Sequence, residues 1–319
     1  MSYASGGLIQ STDYNGFVGT SPSSTANQIN TIWAVGNGRY GYGQTPLSQV
    51  SSTQLVTATQ WATAVNTLNS IYTHQTGSGT GISAPTAGSL VQYLSTFSSS
   101  LSTAYTNATS TSYASQGSTT TGTVISPNFL YTTANSGIAQ TFTITRTATF
   151  ADGDHARYFF NSGGQINFVI TGVTVGDGTA RSTDLQTLLA TNLASVNKIV
   201  AQSPGGRTGS GGTVVLNNPP YYYSLTTSPQ TAINITSTTS GYTGDYVTIT
   251  TQTNGTQGSN GDNGSVITIT LTIYSAPRTD STLSQLFNDT INITVGHRVD
   301  VVYPETTNLS NSWGTVTIT

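Results

Sequence analysis

The hydrophobic pattern of this chain changes period near residue 140, from helical spacing to strict alternation. Trp61, Val65, Leu68 and Ile71 or Tyr72 share one face of a helix predicted to run from Thr57 to about Tyr72. Its start is written in Thr57-Ala58-Thr59-Gln60. Thr57 can accept from the Gln60 amide while the Gln60 side chain returns to the Thr57 amide, and Val56 and Trp61 fit a hydrophobic staple. Beyond a break at Gly77 to Pro85, a second helix from about Ala87 to Asn107 carries Leu90, Leu94, Phe97, Leu101 and Tyr105 on one narrow apolar stripe. On an otherwise Ser/Thr surface, that stripe predicts a helical hairpin or a small symmetric bundle, with these five residues at an oligomer interface.

After a Ser/Thr/Gly-rich stretch over 109–140, read as a linker, the period becomes two. Thr141–Thr145, Tyr246–Thr250, Val266–Tyr274, Thr290–Val295 and Thr315–Thr319 all alternate Thr with apolar residues, the signature of half-buried antiparallel strands. One helix is expected to interrupt them between Thr183 and Ala201, opened by a capping box at Thr183-Asp184-Leu185-Gln186. Asn254-Gly255 and Asp262-Asn263-Gly264 mark turns between strands. The fold class is therefore α+β in several parts: a short helical N-terminal region followed, over 141–319, by an antiparallel β-sandwich with one covering helix.

Residues 1–56 read as an arm with little core of its own. A short turn near Ser11-Thr12-Asp13, a short helix ending at Gly36 and a Gly/Tyr loop over 36–43 are expected there. Tyr3, Leu8, Tyr14, Phe17 and Trp33 are large apolar groups in a segment unable to bury them, which makes them candidate attachment residues. Residues 57–108 would then form the oligomerisation region.

Composition changes this picture in one respect. Charged residues are 6% of the chain, against roughly 25% in ordinary soluble domains, and between Met1 and Thr145 only Asp13 and Arg39 carry formal charge. A neutral hydroxyl and amide surface meets its own copies without like-charge repulsion and is insensitive to salt. The 17 Tyr, 9 Phe and 3 Trp argue for a folded chain. A net charge of −3 lacks a basic footprint for nucleic acid, no apolar run is long enough for a membrane span, and without cysteine neither disulfides nor thiolate metal sites are available. The start has no secretory pattern, so the expectation is release by lysis after assembly in a host cytoplasm.

Candidate chemistry is sparse. Gly36-Asn37-Gly38-Arg39-Tyr40-Gly41 matches a dinucleotide fingerprint by letters but lacks the preceding strand. Asp152-Gly153-Asp154-His155 could hold a hard cation, yet a helix start led by Asp154 with Arg157 as counter-charge accounts for it better. His74, His155 and His297 have no zinc spacing. No nucleophile elbow or carboxylate pair is present, so no catalytic residue, metal or cofactor is expected. Tyr221-Tyr222-Tyr223 after Pro219-Pro220 could offer an aromatic surface to sugars, or simply pack.

Four segments carry a resemblance. Ser2-Tyr-Ala-Ser-Gly-Gly-Leu-Ile-Gln-Ser-Thr-Asp-Tyr-Asn15, Gly41-Tyr-Gly-Gln44, Ala156-Arg-Tyr-Phe-Phe-Asn-Ser-Gly-Gly164 and Asn311-Ser-Trp-Gly-Thr315 resemble, in that order, a family of virion structural proteins of contractile-tailed phages of marine cyanobacteria and related hosts. The Gly-rich segment Asp177 to Gly212 departs from that family. The resemblance implies a non-enzymatic component of tail, neck or fibre, in symmetric copies and in contact with other virion proteins. A head decoration protein and a carbohydrate-binding surface adhesin, reaching host glycans through Tyr221 to Tyr223, are the alternatives.

Overall fold

The computed structural model describes residues 10–22, 25–36, 39–88, 94–109, 116–132, 139–191, 197–199, 213–217, 221–257, 263–277 and 290–319. Four helices come first: α1 (Ser11–Val18), α2 (Ile29–Trp33), α3 (Ala58–Thr76) and α4 (Leu94–Asn107). The Thr57–Gln60 capping box forms in both directions, and Gly77 closes α3 in the left-handed conformation. Phe17, Trp61 and Phe97 meet at ring-centroid distances of 5.0 to 5.8 Å, joining α1, α3 and α4. Each such aromatic pair adds about 0.5–1.5 kcal/mol beyond its buried area.

This cluster corrects two expectations. Tyr14 and Phe17 are each 2% exposed and packed inside the chain's own core, so these two are core groups and not anchors awaiting a partner. Phe97 and Leu101, at 1%, face that core as well, and Tyr105 is half-buried, stacked 4.4 Å from Tyr40. The stripe that looks too narrow for a core is wide enough once α1 and α2 fold against it. Tyr3, Leu8 and Leu90 lie outside the described residues, as does the side chain of Leu94.

Two sheets follow. In the first, β1 (Gln116–Thr120) and β2 (Ile125–Thr132) pair with successive parts of β10 (Ile291–Pro304), whose other edge pairs with β4 (Gln165–Val175) and then β5 (Asn197–Ile199). The second runs β11 (Thr317–Ile318), β3 (Gln140–Thr149), β9 (Val266–Ser275), β8 (Tyr246–Thr253), β7 (Gln230–Thr236), β6 (Thr213–Asn217). All pairings are antiparallel. The 109–140 stretch is thus no simple linker, because β1 and β2 complete an edge of the first sheet. The strand expected over Thr290–Val295 does not stop there. The ladder slips by one residue at Gly296-His297 and β10 continues to Pro304.

Alternation decides which face of the second sheet is wet. Ile267, Ile269, Leu271 and Ile273 on β9 are buried, while Thr268, Thr270 and Thr272 stand on the outer face beside Thr143, Thr145 and Thr147 of β3 and Thr248 and Thr250 of β8. No charged residue interrupts those positions.

Two helices close the sandwich. α5 (Gly153–Asn161) is capped by Asp152, whose side chain accepts from the His155 amide; Asp154 instead pairs with Arg157, at 3.0 Å. The expected helix from Thr183 is shorter and starts earlier. α6 (Ala180–Gln186) is capped by Thr179, whose hydroxyl accepts from the Ser182 amide, and a π-turn over Thr187–Thr191 follows it. It ties both sheets together: Ser182 Oγ accepts from the Asn292 amide and Gln186 donates to the Val173 carbonyl on one side, while Arg181 donates to Ser275 and Ser237 donates to Asp184 on the other.

Phe97→Ala should lower stability by about 3–5 kcal/mol, read as an earlier cooperative melt at unchanged molecular mass in light scattering. A variant that melts normally but dissociates a multimer would return Phe97 to an interface role. At the opposite end, Val316 and Trp313 are buried and Thr317 and Ile318 pair with Thr149 and Ala148. Deleting 313–319 should therefore produce a sharply lower melting temperature or insoluble protein, whereas Thr317→Ser should melt within a degree or two of the parent; equal melting of the truncated chain would contradict this packing.

Candidate functional site: the junction cleft

Three of the four segments that carry the resemblance meet in space, although more than a hundred residues separate each from the next. The loop Gly41–Gln44 folds back on the end of α2, with the Tyr42, Gly43 and Gln44 amides donating to the carbonyls of Ile32, Ala34 and Trp33 at 2.9 Å each. Glycine is required at two positions. A Cβ on Gly41 (φ +97) would lie 2.1 Å from the Val35 carbonyl oxygen, and one on Gly43 (φ +69) would enter the Tyr158 ring.

α5 grips this loop from one side. Arg157, fully buried, donates through NH1 to the Val35 and Tyr40 carbonyls at 2.6 and 2.8 Å, and Asn161 donates to the Gly41 carbonyl at 3.0 Å. The C-terminal segment grips it from the other. Gln44 donates to the Ser310 carbonyl at 2.8 Å and accepts from the Ser310 amide at 2.8 Å, and the Ser312 hydroxyl donates to the Tyr42 carbonyl. Trp313, next in sequence, is 1% exposed and part of the core.

Beside the loop opens a cleft of about 670 Å³, walled by Tyr14, Trp33, Gln44, Thr59, Thr63 and Ser312 among others. No charged side chain lines it. Hydroxyls, amides and two aromatic rings suit a neutral polar guest better than an ionic one. Trp33 is held in place by a 3.0 Å bond from its indole N–H to the Thr45 carbonyl.

Each histidine has a structural partner. His74 Nδ1 lies 2.9 Å from Glu305 Oε1, and the same carboxylate accepts from the Thr307 amide and from both the amide and the side chain of Asn308. Burial pushes the His74 imidazole below its ordinary value, against the opposing pull of Glu305. Burial acts upward on Glu305 but is outweighed by the bonds from Asn308 and His74, which leave it below the usual carboxylate range. A neutral His74 therefore donates to an ionised Glu305. His297 is also lowered, by burial and by Arg146, whose guanidinium donates to His297 Nε2 from Nε at 2.9 Å. His155 sits on Asp152 at 2.6 Å. Among the described residues, no three His, Asp or Glu side chains converge as metal ligands.

Of the residues singled out in the sequence, Tyr14 and Trp33 border the cleft, Phe17 lies in the aromatic cluster, and Phe97, Leu101 and Tyr105 of α4 lie apart from the cleft lining. Tyr222 is buried, 4.4 Å from Phe160, and the hydroxyl of half-buried Tyr223 donates to Asn161, so two of the three tyrosines are engaged within the chain while Tyr221 is half-buried beside them. Sequence reasoning missed Gln44, Arg157 and Asn161 as clamps; nothing in their local pattern names a carbonyl thirty or more residues away. No helix among the described residues is long and apolar enough to cross a membrane. Comparison with family models, curated proteins and solved structures finds no match.

The two buried histidines set a pH dependence. Their folded values lie below the ordinary imidazole value of about 6.5, so in that range the unfolded chain binds more protons and stability is lost as pH falls. Glu305, lowered too, adds a further loss below its ordinary value near 4.3. The melting temperature should be flat from neutrality up to the approach of the ordinary tyrosine value of about 10, where the raised Tyr14, Tyr42 and Tyr158 begin to cost stability, and should decline in two stages on acidification. His74→Gln should melt lower at neutral pH with a shallower decline between pH 7 and 5; an unchanged slope would remove His74 from this account.

Proposed function

We propose that this chain is a non-enzymatic structural component of a phage virion, tail-, neck- or fibre-associated and present in symmetric copies. The observation that carries the reading is the junction. Three of the four segments that resemble virion proteins hold residues that lock the N-terminal region, α5 and the C-terminal segment into one body, which gives that part of the resemblance a physical basis: they specify a fold. The uncharged Thr face of the second sheet supports the same reading, since such a face packs against neighbours without electrostatic cost and independently of salt. The described ionisable groups at the junction act as clamps on backbone carbonyls and amides, which is structural work.

Antibody raised against the purified protein should label one location on negatively stained particles, and quantitative mass spectrometry of gradient-purified phage should give a copy number that is a multiple of three or six. Several hundred copies on the head would select the decoration role instead. Absence from purified particles would end the virion reading. A second, narrower reading is favoured by the neutral cleft at Trp33: a virion component can hold a host glycan there. A glycan array with the parent protein and with Thr63→Arg, an exposed cleft position, tests it, and equal binding by both or by neither removes the cleft from consideration.

A further inference from the structure

β3 stands next to last in the second sheet, with β9 on one side and the short β11 on the other. Its backbone groups alternate between the two sides. The Phe150 amide, just past the strand, donates to Ser265 on the β9 side, whereas Thr147 and Thr319 exchange both amide–carbonyl bonds, at 2.9 and 3.1 Å, on the β11 side. The β3–β9 ladder runs from Gln140 to Thr149 without a slip, so the N–H and C=O groups of Thr141, Thr143 and Thr145 also point to the β11 side. β11 reaches no further along β3 than Thr147. Among the described residues nothing bonds to these backbone groups, and all three threonines are exposed.

An open edge of this kind is ordinarily blunted by charge, proline or a bulge. Thr141-Phe142-Thr143-Ile144-Thr145 has none of these. The stretch is also self-complementary. Laid antiparallel against its own copy with Thr143 opposite Thr143, it sets Thr141 opposite Thr145, and each open donor and acceptor finds its counterpart. Opposite residues share a face, so the outer face gains a row of Thr–Thr contacts with no like-charge pair. On the inner face Phe142, which is only half-buried, comes opposite Ile144, an aromatic against a β-branched side chain. Ile125, 41% exposed, is opposite His297 and shares with it the face turned towards Arg146 of β3, so an apolar side chain on this flank is uncovered as well.

We propose that β3 is the pairing edge of a two-fold dimer, in which the second sheets of two copies join into one across Thr143. The choice of a copy over an unrelated strand follows from reciprocity: the register that pairs all three threonines is the one that sets Phe142 against Ile144 twice, once on each side of the axis. A two-fold contact uses the same patch on both copies and closes on itself. That suits an edge bounded by Gln140, where β3 begins, and by the Thr147–Thr319 pair. The inference names the contact between the symmetric copies proposed above and rests on that reading for its setting. It makes the copy number even, hence a multiple of six among those expected there.

Sedimentation of the purified full-length protein should show a monomer–dimer equilibrium, and hydrogen exchange should find the Thr141, Thr143 and Thr145 amides protected in the dimer and open after dilution to the monomer. Thr143→Lys and Thr143→Glu each set like charges opposite one another on the axis. Either alone should sediment as a monomer that melts close to the dilute parent, and an equimolar mixture of the two should dimerise again. Thr143→Pro, tolerated where an edge N–H faces solvent, should be a folded monomer. A parent that stays monomeric at every concentration, a dimer whose three amides exchange freely, protection of those amides in the monomer, or folded charge variants that ignore each other when mixed would each overturn the proposal. Particle content is read separately: a protein absent from particles but with protected amides ends the virion reading and leaves the pairing, and one present with open amides does the reverse.

Discussion

The rest of the structure depends on a loop of backbone being held from two sides by side-chain amides and a guanidinium. Tyr40–Gln44 has no regular secondary structure, yet its carbonyls are claimed by Arg157, Asn161 and Ser312, and Gln44 forms a reciprocal pair with the backbone of Ser310. Buried backbone groups must be paired. A chain with almost no charge in its first 145 residues achieves this mostly with neutral donors and acceptors, and so fastens its N-terminal helices to its C-terminal segment without relying on surface ion pairs, which are worth little.

Several of the few charges are placed where most proteins avoid them. Arg157 is fully buried and Arg181 is 2% exposed, each bonded to carbonyls or hydroxyls on elements distant in sequence. A guanidinium serves this purpose better than an ammonium because its planar fork reaches several acceptors at once and stays ionised when desolvated. Asp245 completes the second of these networks, accepting from Ser275 and from the Ala276 amide. Networks of this kind stabilise only when every member is satisfied, and partial satisfaction is costly. That fixes α6 and the end of β9 in one relative position.

Legibility in the sequence followed the range of the interactions. The Thr57 capping box and the strands β3, β8 and β9 were readable because their causes lie within a few residues: a side chain reaching its own helix, or a period of two against one buried face. The 14-residue course of β10 was readable only as far as Val295, since Gly296 looks like a terminator and only the neighbouring strands turn it into a slip of register. β1 and β2 were hidden because their Ser/Thr/Gly-rich sequence has little pattern of its own and pairing is imposed by β10. The same limit applies to the arm. Tyr14 and Phe17 were identified as groups needing a partner, which was right in chemistry, but the partner is Trp61 and Phe97 of the same chain, and no local signal distinguishes that from another molecule. The cleft and its clamps, made of contacts between residues 30–60, 150–165 and 310–313, were beyond sequence for the same reason.

β10 is where these constraints converge. From one strand, His297 reaches β3 through Arg146, Asp300 accepts from the turn between β1 and β2 through Gly122, and Glu305, one residue beyond the strand, receives His74 at the end of α3. The slip at Gly296-His297 is what makes this possible. β4 and β2 each carry an extra residue opposite it, so the inward set on β4 passes from Val173 to Ile170, and His297 continues the face set by Val295 with Arg146 in reach. Without that slip the alternation of β4 would turn Ile170, Phe168 and Ile166 to the opposite face, exposing the apolar set to the side now occupied by Asn167. A single irregularity in the ladder therefore sets both the composition of the core between the sheets and the polar pair of Asn167 and Asp300 on the other side.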